Sequence, residues 1–190
     1  MSGRRPRSLS SPGRMPGNWI PIIILGPKVR PFVMPRIVKM PQSLTQIWIH
    51  VVFSTKSRRP FLKNVTFRKE MFRMLAHHVK ESGCISASVG GHIDHVHLLV
   101  GLSRTITISK LMEKIKIETS KWAKSCEDGS TTFSWQAGYG AFSVSHSKCQ
   151  EVDRYIRSQD DHHAEHSFQD EFRRLCELHG IEIDERYVWD

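Results

Sequence analysis

From Gln46 onward the chain alternates. Ile47, Ile49, Val51 and Phe53 fall on one side of a strand and Trp48, His50, Val52 and Ser54 on the other, because successive strand side chains point to opposite faces. Both faces are largely apolar, so this strand is expected at the centre of its sheet. The period then changes. Thr66 is placed to cap a helix with Phe67, Met71, Met74, Leu75, His78 and Val79 on one stripe, and Gly83 to stop it. Cys84 to Val89 reads as a second strand. It turns at Gly90 and Gly91 into a third within residues 91–101, Gly-His-Ile-Asp-His-Val-His-Leu-Leu-Val-Gly. Helical spacing returns from Thr107 to Lys124, with Ile108, Leu111, Met112, Ile115, Thr119 and Trp122 on one stripe. After a polar, Gly-containing loop over 125–138, Tyr139 to His146 alternates as a fourth strand.

The order is strand, helix, strand, strand, helix, strand. This is the split β-α-β pattern of an α+β, ferredoxin-like fold, with an antiparallel sheet and both helices on one face. Ser147-Lys148-Cys149-Gln150 then reads as a capping box, opening a helix with Cys149, Val152 and Ile156 on its apolar side. Phe168, Phe172, Leu175 and Leu178 mark a last amphipathic helix. Many unrelated functions use this fold, so it decides no chemistry by itself.

Residues 1–39 break the pattern. Arg4, Arg5, Arg7 and Arg14 stand among Ser, Gly and the recurring Pro6, Pro12, Pro16, Pro21, Pro27, Pro31 and Pro35, which no helix or central strand accommodates. The apolar run Ile20 to Leu25 is broken by Pro21, is too short to span a bilayer and lacks a small-residue cleavage site. The expected organisation is a disordered basic extension over 1–39, a domain over 40–160 and an acidic helical tail over 161–190.

Charge sharpens that division. The net charge of +9 is built from +8 over residues 1–40, +8 over 41–150 and −7 over 151–190. The central block is therefore basic in its own right, which favours a polyanion such as nucleic acid over an acidic partner. Lys56, Arg58 and Arg59 cluster in the loop after the first strand. Lys110, Lys114 and Lys121 recur on one helix face as a phosphate track or a solvated lysine face. The four cysteines, Cys84, Cys126, Cys149 and Cys176, lie far apart, so they read as reduced thiols of a cytoplasmic protein.

Two groups of residues carry candidate chemistry. His95 and His97 share one face of the third strand with Leu99, while Val96, Leu98 and Val100 take the other. A lone His-x-His serves equally as a half-buried strand pair or as two metal ligands held on a rigid element. Tyr155 and Gln159 are four apart and so adjacent on a helix, where a tyrosine is ordinarily a boundary aromatic. His162, His163 and His166 contain an i, i+4 pair that could ligate metal, in polar surroundings more typical of a solvated helix start.

Taken together, His95-Val96-His97 and Tyr155-Ile156-Arg157-Ser158-Gln159 resemble the single-tyrosine HUH transposases of small insertion sequences, a family that includes the repeat-associated tyrosine transposases. The resemblance takes in Val51 to Pro60, Asp94 to Val100, Trp135-Gln136-Ala137-Gly138-Tyr139, His162-His163, Phe168, Glu171-Phe172 and Gly180-Ile181-Glu182. It spans the chain from Met40 onward.

The resemblance implies a transposase that cuts and rejoins single-stranded DNA. Tyr155 would be the nucleophile, and His95, His97 and Gln159 would hold a divalent ion, Mg or Mn. The product would be a 5′-phosphotyrosine beside a free 3′-hydroxyl. A phenol with pKa of about 10 is a poor nucleophile at neutral pH, so the chemistry needs help. The family further implies recognition of hairpins at element ends, a homodimer with each tyrosine helix against its partner's histidines, and a bacterial cytoplasmic protein that joins the nucleoid when bound to DNA. Trp48, Trp122 or Trp135 would be available to stack on bases, with core packing the more natural duty of Trp122. Two other readings compete: a domesticated relative acting on host palindromes, and a non-catalytic nucleic-acid-binding module with no need of Tyr155. A two-histidine phosphoesterase is set aside, because it needs two His-x-Ser/Thr motifs and the chain has one His-x-His.

Overall fold

A computed structural model describes residues 43–159 and 167–189. Residues 1–39 and the histidines at 162, 163 and 166 lie outside them. Four strands form one antiparallel sheet: β1 (Trp48–Ser54), β2 (Ile85–Gly91), β3 (His95–Gly101) and β4 (Gly140–Val144), in the order β2-β3-β1-β4. The strand that is apolar on both faces, β1, lies inside the sheet as its pattern predicts. It pairs Val52 with His97 and Ser54 with His95 on one side, and His50 with Phe142 on the other.

Helices α1 (Val65–Glu81) and α2 (Ile108–Ser125) both cover one face. Ile49, Val51, Phe53, Val96, Leu98 and Val100 of the sheet meet Met71, Leu75, Leu111 and Ile115 there, with Phe133 and Trp135 completing the core. Trp135 donates its Nε1–H to Thr119 Oγ1 at 2.9 Å and is buried, so it is a core residue and not a base-stacking platform. Trp122 stacks on Phe67. Helices α3 (Cys149–Arg157) and α4 (Phe168–Leu178) belong to the opposite side, where Val52 and Phe142 pack on Phe168, Phe172 and Cys176. The acidic C-terminal segment thus contributes a second, smaller core.

The caps differ from expectation at two helices. Asn64, not Thr66, caps α1, accepting from the Thr66 and Phe67 amides at 2.9 and 3.1 Å. A capping residue needs extended backbone before the first turn, and Asn64 has it while Thr66 is already helical. At α3 a 3-10 turn, His146–Lys148, places Ser147 inside a turn, so the expected capping box does not form. The Ser147 hydroxyl bonds Ser145 instead, and α3 starts without a side-chain cap. Thr107, where the helical spacing begins, is the cap of α2 and accepts from the Lys110 amide.

Two glycines let the second pair of helices approach the sheet. A Cβ on Gly90 would lie 2.2 Å from the Ile156 carbonyl oxygen of α3, and one on Gly140 would lie 2.8 Å from the Phe172 ring of α4. Gly90→Ala is therefore expected to lower unfolding stability by about 1–3 kcal/mol through overpacking, with Gly138→Ala nearly neutral because its nearest neighbour is the Gln136 amide at 3.4 Å. Urea unfolding of both variants checks this, and equal midpoints would refute the tight approach. Among the described residues no helix is long and apolar enough to cross a membrane.

Candidate active site

Strand alternation puts His95 and His97 on the side of the sheet away from α1 and α2, as the sequence predicts, and both are fully buried. Their rings stand 5.1 Å apart. Each ring is held from behind. His95 Nδ1 bonds the Asp94 carboxylate at 2.7 Å, and His97 Nδ1 bonds His50 Nε2 at 3.0 Å. This leaves both Nε2 atoms turned toward a common centre, the arrangement in which an imidazole's outer nitrogen fixes ring direction and tautomer for ligation by the other.

Glu171 of α4 faces that centre. Its Oε2 lies 3.4 Å from His97 Nε2 and 3.8 Å from His95 Nε2. Its Oε1 accepts hydrogen bonds from the Tyr155 hydroxyl and from Gln159 Nε2, the latter at 3.0 Å. Gln159, just past the C-cap of α3, turns its Oε1 to within 3.5 Å of His95 Nε2. Tyr155 on α3 and Gln159 just beyond its C-cap, expected on one helix, therefore reach the same carboxylate as the two histidines on β3. Phe168 stacks on His95 with ring centroids 4.5 Å apart and seals the outer side.

The electrostatics follow from burial. An ionised carboxylate with 5% exposure needs compensating partners. The Tyr155 pKa is raised, first by burial and then by the charge and hydrogen bond of Glu171, while Gln159 and Arg174 act in the opposite direction. The phenol is accordingly protonated in this arrangement. Burial, assisted by His97, lowers the His50 pKa to about 3, so His50 is a neutral ring at physiological pH.

The donor set fits a cation. His95, His97 and Glu171 each offer a ligand atom, all within 4.8 Å of one another, and His97 Nε2 is a buried nitrogen with no hydrogen bond among the described residues. Sequence reasoning picked Tyr155, His95, His97 and Gln159, which the structure brings together. It assigned no role to Glu171, His50 or Asp94. A signal existed for the first: Glu171 sits on the same helical stripe as Phe168, Phe172 and Leu175, and a carboxylate on a buried stripe calls for a partner.

The predicted basic residues separate into two places. Lys56 and Arg58 form a short turn directly after β1, with Arg59 beside it, at the sheet end where β1 meets His95; the Thr55 amide bonds the Asp94 carbonyl there. Lys110, Lys114 and Lys121 stand on α2, across the sheet from the histidines, and Lys110 and Lys121 are paired with Glu113 and Glu118. The second described cluster able to hold a metal, His77, His78 and Glu81 on α1, lies on that same far side. Within the one chain described, Tyr155 stands against His97, with ring centroids 5.9 Å apart.

Curated proteins give no match. Among the solved structures that match are a candidate transposase from Deinococcus radiodurans R1, at 20% identity over 64% of this chain and 96% of that one, with a TM-score of 0.47. Another is a REP-associated tyrosine transposase bound to a REP hairpin, at 16% identity over 65% of this chain and 74% of that one, also with a TM-score of 0.47. A family model described as "Transposase IS200 like" matches residues 43–159, a run that starts just before β1 and ends on Gln159. The chain belongs to the IS200-like transposase family.

Proposed function

We propose that this transposase cuts and rejoins single-stranded DNA through Tyr155, with a divalent ion, Mg or Mn, held by His95, His97, Gln159 and Glu171. The observation that carries the proposal is one buried carboxylate joining the nucleophile to the histidine pair: Glu171 Oε1 accepts from Tyr155 while Oε2 faces both imidazoles. Two imidazoles alone lean toward zinc and later metals. Carboxylate and amide oxygens bring the set toward the hard cations expected from the family.

In the cleavage step the Tyr155 oxygen attacks phosphorus and the bond from phosphorus to the 3′-oxygen breaks. A 5′-phosphotyrosine and a free 3′-hydroxyl result. The phenol proton passes along its existing hydrogen bond to Glu171, the departing 3′-oxygen takes a proton from water, and Glu171 returns its proton to solvent, so charge and atoms balance. A divalent ion would polarise a non-bridging phosphate oxygen and stabilise charge on the leaving oxygen. Asp94 and His50 fix the two imidazoles, and Gln159 holds Glu171 in place. Because one phosphodiester replaces another, reversal reseals the strand without ATP.

Lys56, Arg58 and Arg59, at the sheet end beside His95, are proposed phosphate contacts, whereas Lys110, Lys114 and Lys121 would meet only DNA that reaches the far side of the sheet. Hairpins at element ends are the proposed substrates, in the cytoplasm on the nucleoid. One nucleophile per chain makes one cut and excision needs two, so a homodimer is proposed.

Incubation with labelled single-stranded DNA from the ends of its own locus tests the reading. A denaturant-stable protein–DNA adduct is expected with Mn²⁺ or Mg²⁺ and is lost with chelator. Binding without an adduct under any divalent ion would leave a nucleic-acid-binding module in place of the nuclease.

A further inference from the structure

The histidines are closed off, but the nucleophile is not. Tyr155 is half-buried and lines a cleft of about 880 Å³ between α3 and α4, over the edge strand β4. Tyr155 and Glu171 form part of its lining, and Phe142 and Leu175 give it apolar walls. Two exposed cations also line it, Lys148 and Arg174. They differ in what holds them. Lys148 is paired with Glu151 at 2.7 Å, and Arg173, next to Arg174 in sequence, is paired with both Asp170 and Glu185. Arg174 makes no ion pair with any described residue, although its charge is felt by the Tyr155 phenol.

We infer that a single DNA strand lies in this cleft during cleavage, with Arg174 gripping a backbone phosphate beside the one attacked. The inference rests on the nuclease reading and names where its substrate runs. A guanidinium is the side chain best matched to phosphate, because its planar fork offers paired donors and it stays charged at every relevant pH. The cleft combines the two features that single-strand sites use, a cation along the backbone and apolar surface against the bases. Neither the basic turn after β1 nor the α2 lysines line it.

Binding of fluorescein-labelled oligothymidylate, measured by anisotropy over a salt series with chelator present, tests the inference without cleavage. Arg174→Ala should weaken binding and lower the slope of log affinity against log salt by about 0.7, the value of one single-strand phosphate contact. Arg174→Lys should keep most of that slope, and Lys69→Ala, at an exposed lysine of α1 across the sheet, should keep all of it. A wild-type slope in Arg174→Ala, or a loss in Lys69→Ala instead, overturns the cleft assignment. The adduct assay on the unaltered protein separates the two readings. An adduct with no Arg174 effect sinks the cleft alone, and an Arg174 effect with no adduct sinks the nuclease alone.

Discussion

Tyr155→Phe protein should bind single-stranded DNA like the parent and form no covalent adduct with it. The loss should be complete, since the hydroxyl oxygen is the atom that becomes bonded to phosphorus; removal of a nucleophile elsewhere has cost up to about a millionfold. The phenylalanine ring keeps the packing against His50 and His97. What it removes is one hydrogen bond to a buried carboxylate, worth about 1–3 kcal/mol, so the variant should still fold. Peptide mapping of the parent adduct should place the nucleotide on Tyr155. Persistence of an adduct in Tyr155→Phe would show that another residue is the nucleophile and would remove the basis of the proposed mechanism.

Replacing Glu171 separates its two duties by opposite signs. Without metal, Glu171→Gln should be as stable as the parent or more so, because it removes a buried charge while leaving an amide of the same shape to meet Gln159 and Tyr155. With Mn²⁺ the order should reverse. The parent should gain about 2.7 kcal/mol at a metal concentration a hundredfold above its Kd, and the variant should gain little, its affinity falling by about 100-fold or more. That figure is a lower bound, since even residues that only orient a ligand cost about 10–100-fold. His97→Ala should lose the same metal-dependent gain, and neither variant should form the adduct. Thermal unfolding with and without Mn²⁺ reads this directly. Equal stabilisation of parent and Glu171→Gln by the ion would exclude Glu171 from the metal site.

The two experiments bear on contacts of different origin. Tyr155 and Gln159 lie near each other because they are four apart where α3 ends, and His95 and His97 share a face because a strand alternates. Such relations are written in local spacing. So were the central position of β1, apolar on both faces, and the packing of α1 and α2 on one side. The missed α3 cap was also local, and it was misread because a serine can bond a neighbouring serine within a 3-10 turn as readily as it can cap a helix.

Glu171 is of another kind. On sequence it is one acid in an acidic C-terminal segment, and only the docking of α4 on Val52 and Phe142 turns it inward against the histidines. His50 is similar: its role depends on pairing β1 beside β3, which brings its Nε2 to His97 across 47 residues of chain. The α2 lysines show the converse, since their spacing is regular but the sheet stands between them and the site. The sequence alone therefore determined the elements and their faces and singled out Tyr155, His95, His97 and Gln159 as candidates, because each depends on backbone periodicity or on a motif. Tertiary structure alone decided that Glu171 joins them and which cations line the cleft beside Tyr155. Those are distances between residues remote along the chain, and the packing of whole elements sets them.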